Sequence, residues 1–214
     1  MNAMLATANF LPAAIMIQHR PGQDRRRCVG GFCLDPTAVE AFNAFLELLG
    51  RDRDPIDCDQ LSTAARELCD CDAVLAAACI GVRMRRAALV DRMIADPGWG
   101  AGDETCLLGS TVVEYIRRHD DLIPDTLPRV GRLDDALVVD TAWPRLAEEA
   151  AGYTDFRRLR RIEARLRGRD PGAFSFNRAD WLESRRAEAA LASHRARVRD
   201  SAYVPAPAAA FRVH

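Results

Sequence analysis

Five aspartates fall within HDDLIPDTLPRVGRLDD, residues 119–135. Asp121, Asp125, Asp134 and Asp135 stand on both sides of one Pro- and Gly-containing turn. Four carboxylates so placed could converge on Mg²⁺ or Ca²⁺, hard cations that accept carboxylate oxygens and water. That arrangement would suit a divalent-metal-dependent hydrolase or a metal-binding protein. Convergence without a cation would raise at least one pKa through like-charge repulsion. A simpler reading is preferred: Asp121 and Asp125 cap local turns, and Asp134 and Asp135 sit in a helix's first turn. There, negative charge complements the amide dipoles by about 0.3–1 kcal/mol each.

Other chemistries find less support. The His119-Asp120 pair would need further histidines for a metal centre, and none lies between His19 and His119. The seven cysteines (Cys28, Cys33, Cys58, Cys69, Cys71, Cys79 and Cys106) are an odd number in a chain of 214 residues. They are expected to be reduced thiols in a cytoplasmic protein. Cys28-x4-Cys33 and Cys69-x-Cys71 offer four thiolates, but the second pair is spaced more closely than structural zinc sites require, so zinc is not expected. Cys69, Cys79 and Cys106 read as small hydrophobes on helix faces. No G-x-S-x-G elbow occurs, nor a G-x-G-x-x-G after a strand. All 30 basic residues are arginine, which excludes lysine Schiff-base, Walker-type and kinase-type chemistry. No catalytic residue is assigned, and an enzyme of a familiar class is not expected. Arginine in place of every lysine, beside abundant alanine, points to a GC-rich bacterial genome.

The elements that must position these residues are helical. Residues 1–34 are irregular, with a short hairpin expected around the Pro21-Gly22 turn. Asp35-Pro36 opens a helix whose apolar side is Val39, Phe42, Leu46 and Leu49, and Gly50 stops it. Leu61, Ala65 and Leu68, then Val74 to Ile94, predict one or two more helices before DPGWG. A helix over about 104–118 presents Leu108, Val112, Tyr115 and Ile116. Proline after Ile123 and after Leu127 forces extended backbone, so this helix ends near His119 or Asp120. Gly131 would allow a positive φ at the corner. Beyond it, LDDALVVDTAW resumes helical spacing until Pro144, which should start a separate short helix. Asp155 should cap a further one, FRRLRRIEARL, with Phe156, Leu159, Ile162 and Leu166 as its apolar stripe. A last helix is expected over about 177–199, followed by a disordered tail, residues 201–214.

The corner also carries a resemblance. Tyr115, Asp121, Leu122, Ile123, Pro124, Asp125, Pro128, Gly131, Asp134 and Asp135 match Y-x5-D-L-I-P-D-x-x-P-x-x-G-x-x-D-D. The pattern resembles the YkvA-like bacterial domain of unknown function, over about Gly109 to Trp143. His119 stands where relatives commonly have proline, and Thr126 where they have a large apolar residue. The resemblance implies a small helical domain and supplies neither activity nor catalytic residue.

Charge is uneven. Residues 1–144 hold 15 Arg against 22 Asp+Glu, and residues 145–214 hold 15 against 9. Arg157, Arg158, Arg160, Arg161, Arg165, Arg167 and Arg169 give one helix a basic face. Such a face is usually solvated, but it can attach to an anionic membrane surface, nucleic acid or an acidic protein. With few stacking aromatics, nucleic acid is the weakest of these. No run approaches the ~18 apolar residues of a transmembrane helix.

The expected architecture is all-α: an irregular helical bundle over residues 35–151, after an irregular or hairpin segment over 1–34. A basic helical extension, 152–200, precedes the tail. The expected function is that of a non-catalytic bacterial module acting through protein-protein interaction, regulatory or accessory. The alternatives are metal-dependent hydrolysis or metal binding at the aspartates, and peripheral membrane or nucleic-acid attachment through residues 156–169.

Overall fold

A computed structural model describes residues 10–16, 27–29, 31–118 and 122–200. The fold is all-α. Among the described residues its helices are α1 (Ala13–Met16), α2 (Pro36–Leu48), α3 (Cys58–Asp70), α4 (Ala73–Ala95), α5 (Asp103–Arg117), α6 (Leu133–Leu166) and α7 (Arg178–Asp200). One antiparallel hairpin, β1 (Cys28–Val29) with β2 (Phe32–Cys33), precedes α2, in register Cys28 with Cys33.

Local chemistry sets the helix ends. The Asp35 carboxylate accepts from Thr37 N at 3.1 Å, with Pro36 in the first turn of α2. Gly50, at φ +96°, ends that helix as Arg51 N reaches back to the Leu46 carbonyl at 3.0 Å. Asp57 and Gln60 form a reciprocal capping box on α3, at 2.7 and 3.1 Å. Buried Asn43 pins the intervening linker, its amide exchanging two hydrogen bonds with the Ile56 backbone at 2.7 and 2.8 Å.

The chain divides into two compact units, residues 1–155 and 156–214. In the first unit, α1 and β1 pack on α3, and α4 packs on α3 and α5. Val39, Phe42, Leu46 and Leu49 of the first apolar stripe are all buried. They join Leu61, Val90, Val112, Leu133, Leu137 and Leu146 in one hydrophobic cluster. The DPGWG stop is itself packed: Trp99 is buried 5.8 Å from the Tyr153 ring, and Tyr153 Oη lies 3.0 Å from Asp96 Oδ2. In the second unit, Phe156 and Phe176 stack at 5.6 Å. Asn177 caps α7, accepting from Ala179 N at 2.8 Å.

Three sequence expectations are corrected. The separate helices expected at Pro144 and Asp155 are parts of one helix, α6, with Pro144 inside it. Proline removes one amide donor, but Ala142, Leu146, Ala150 and Tyr153 are all buried along this stretch, and their packing keeps the helix continuous. Among the described residues the hairpin is at Cys28–Cys33, and Ala13–Met16, within the irregular front, is helical; Pro21-Gly22 falls outside the described residues, as does the tail. Cys28 and Cys33 form a disulfide, contrary to the expectation of reduced thiols throughout, because strand pairing sets their Cα atoms 4.0 Å apart. That pairing also removes the four-thiolate zinc arrangement. Cys79 is buried and Cys69 and Cys106 are half-buried on helices, in line with a packing role. No described helix is long and apolar enough to cross a membrane.

Candidate functional site

The corner between α5 and α6 is built around Asp134. Its Oδ2 accepts the Tyr115 hydroxyl at 3.1 Å and the Ile123 amide at 3.2 Å. Asp134 and Asp135 are fully buried in the first turn of α6. One carboxylate therefore ties a side chain of α5 and the backbone amide just before Pro124 to the start of α6. Ile123, Val130 and Leu133 are buried beneath the corner. Asp125 lies 3.8 Å from the Arg132 guanidinium, and Arg129 donates to the Cys69 carbonyl at 2.7 Å.

The glycine expectation is corrected here. The positive φ belongs to Arg129, at 68°. Gly131 serves close approach instead: a Cβ there would meet the Asp125 carbonyl oxygen at 2.6 Å and that of Leu127 at 2.8 Å. The backbone of residues 125–127 passes close to Gly131, and only a residue without a side chain fits.

Of the four candidate metal ligands, Asp121 lies outside the described residues. Among the described residues, no three His, Cys, Asp or Glu side chains group as a cation site requires. The hydrogen bonds that are seen assign Asp134 to holding the corner together.

The basic face has a different character from the stripe expected of it. Arg158, Arg161, Arg165, Arg167 and Arg169 are exposed, while Arg157 and Arg160 are half-buried. Arg160 lies over the Phe156 ring at 5.0 Å, and Arg167 pairs with Glu163 and covers Phe174 at 5.3 Å. Phe156 and Leu159 are buried as expected, but Ile162 is 39% and Leu166 76% exposed. The apolar stripe thus emerges onto the surface among Arg158, Arg161 and Arg165. Helical spacing does not reveal where the covering layer stops.

Sequence reading also misses an ionic cluster. Arg83, in the apolar α4, is 1% exposed and donates through Nη2 to Asp140 Oδ2 at 2.8 Å and through Nη1 to the Cys79 carbonyl at 3.0 Å. Arg86 takes the other oxygen of Asp140 at 3.0 Å and lies 4.7 Å over the Trp143 ring. The signal available was Arg83 directly after the apolar run 73–82, since a buried arginine needs a carboxylate partner, but Arg85 and Arg86 beside it hide which of the three turns inward. The partner's identity was not encoded locally.

Comparison with protein-family models, with curated proteins and with solved structures finds no match to this chain.

Proposed function

We propose that this chain is a non-catalytic binding module that acts by gripping another protein, with residues 156–200 as the gripping surface. The observation that carries this reading is the exposure of Ile162, Leu166, Leu182, Leu191 and Val198 on arginine-rich helices. Residues 156–214 hold 14 Arg against 6 Asp+Glu. Apolar side chains left in water and flanked by arginines are the composition of a protein-binding surface.

Helix α7 adds a geometric argument. From Arg186 to Arg199 every residue but Ala196 is exposed. Ala187, Leu191, His194 and Val198 follow one another at four-, three- and four-residue steps, the spacing of a helix-pairing seam. Such a seam in isolation leaves its apolar surface hydrated, and pairing removes that cost. The complementary partner is an amphipathic helix with acidic flanks. The YkvA-like resemblance is compatible with a small bacterial module but names no partner.

The test places a photo-crosslinking amino acid at Leu166 or Leu191 in the host cell, with exposed Leu48 of the first unit as the control. A discrete protein crosslinked at the first two positions, and lost when Arg158, Arg161 and Arg165 are changed to Gln, is the expected result. No adduct, combined with salt-sensitive binding of the purified chain to phosphatidylglycerol vesicles, would replace this reading with membrane attachment. Turnover of a substrate by the purified chain would end the non-catalytic one.

A further inference from the structure

A cavity of about 460 Å³ lies beside α6 in the first unit, within the ~300–1,000 Å³ typical of small-molecule pockets. Leu11, Ile15, Leu137 and Pro144 form an apolar wall, and Arg51 and Arg53 contribute the cationic side.

The sequence builds that side in steps. Gly50, at φ +96°, turns the chain sharply off α2, and the residues just after it line the cavity. The Nε and Nη2 of Arg51 lie 3.4 and 3.3 Å from the Asp54 carbonyl, which anchors a half-buried guanidinium. Burial, followed by the neighbouring charge of Arg53, pulls the Arg51 pKa down, and Asp54 offsets this only in part. Two like charges beside one partly desolvated cavity are relieved by an anion between them. Asp52 also lines the cavity and is exposed, as Arg53 is, so water and salt screen those two charges alike and the half-buried Arg51 guanidinium carries most of the preference for an anion.

The α6 side is prepared for the rest of the ligand. Asp140 lines the cavity, but its two carboxylate oxygens are engaged by Arg83 and Arg86, so its charge opposes an incoming anion weakly. Pro144 has no amide hydrogen, so the Asp140 carbonyl one turn earlier receives no bond from it. Pro144 instead presents its ring to the cavity.

We propose that this cavity binds an amphipathic carboxylate, with the head on Arg51 and Arg53 and the hydrocarbon body along Leu11, Ile15, Leu137 and Pro144. The test is calorimetric titration of the full chain with octanoate, octanol and inorganic phosphate. The expected result is a single saturable octanoate site, with octanol binding at least tenfold more weakly and phosphate not saturating. Arg53→Glu, at an exposed position, should weaken octanoate at least tenfold without changing the melting midpoint of the ligand-free protein. Arg51→Gln should do the same. Octanol binding as tightly as octanoate would reduce the site to apolar adsorption and overturn the proposal. So would phosphate binding as tightly, or octanoate affinity that neither variant changes.

Discussion

Arg83 Nη2 lies 2.8 Å from Asp140 Oδ2, joining α4 to α6 through a guanidinium that is 1% exposed. A charge so placed depends on its partner, because removing one member of a buried pair leaves the other desolvated and uncompensated.

Asp140→Ala should therefore destabilise the protein by about 3–5 kcal/mol in urea denaturation. Arg86→Gln, at a quarter-exposed position, should cost less than about 1 kcal/mol. The pair Arg83→Met with Asp140→Leu should lose much less than the two single changes added together, since no charge remains buried. Equal losses for Asp140→Ala and Arg86→Gln would contradict this account.

Asp134→Ala takes the acceptor from both Tyr115 and Ile123. The expected cost is about 1–3 kcal/mol, mainly for the buried Ile123 amide left unsatisfied, and Tyr115→Phe at a half-buried position should cost less. Melting midpoints in EDTA, Mg²⁺ and Ca²⁺ should coincide, whereas a bound cation at ~100 times its Kd would add about 2.7 kcal/mol. A metal-dependent rise that Asp135→Asn abolishes would revive the cation reading of the corner.

Gly131→Ala should destabilise by about 1–3 kcal/mol or more, because its Cβ meets backbone that has no room to move aside. Gly31→Ala, where a Cβ meets nothing within 4 Å, should change stability little. Thermal unfolding of the two variants side by side checks the contrast.

The thiols should separate by environment. Reduction of exposed Cys28–Cys33, which closes a short loop, should lower stability by no more than about 2 kcal/mol and expose two further alkylatable thiols. Burial, ahead of the opposing Arg83 charge, pushes the Cys79 thiol up. A raised thiol pKa favours the neutral form in the folded state. Its contribution is therefore fully present below the ordinary thiol range and is lost as pH rises through the folded value. Alkylation mapped by mass spectrometry from pH 7 to 10 should label buried Cys58 and Cys79 after the half-buried Cys69, Cys71 and Cys106. Early labelling of Cys79 would contradict its burial.

Much of the helical text was legible because its signals are local. Asp35-Pro36, Gly50 and the Leu46-type spacing act within one or two turns, and they place α2 almost to the residue. The corner was legible for the same reason, since Pro124 and Pro128 restrict their own neighbours whatever surrounds them.

By itself, then, the sequence determined the all-α class, the Asp35 cap, the corner and the separation of an acidic from a basic segment. Only the tertiary structure decided that α6 continues through Pro144, that Gly131 answers crowding, and that Cys28 faces Cys33. It alone matched Arg83 with Asp140, 57 residues away, and left Ile162 and Leu166 uncovered. Caps and periodicity come from bonds within a few residues, whereas burial and ion pairing depend on which distant surfaces close over a side chain, and periodicity carries no record of that.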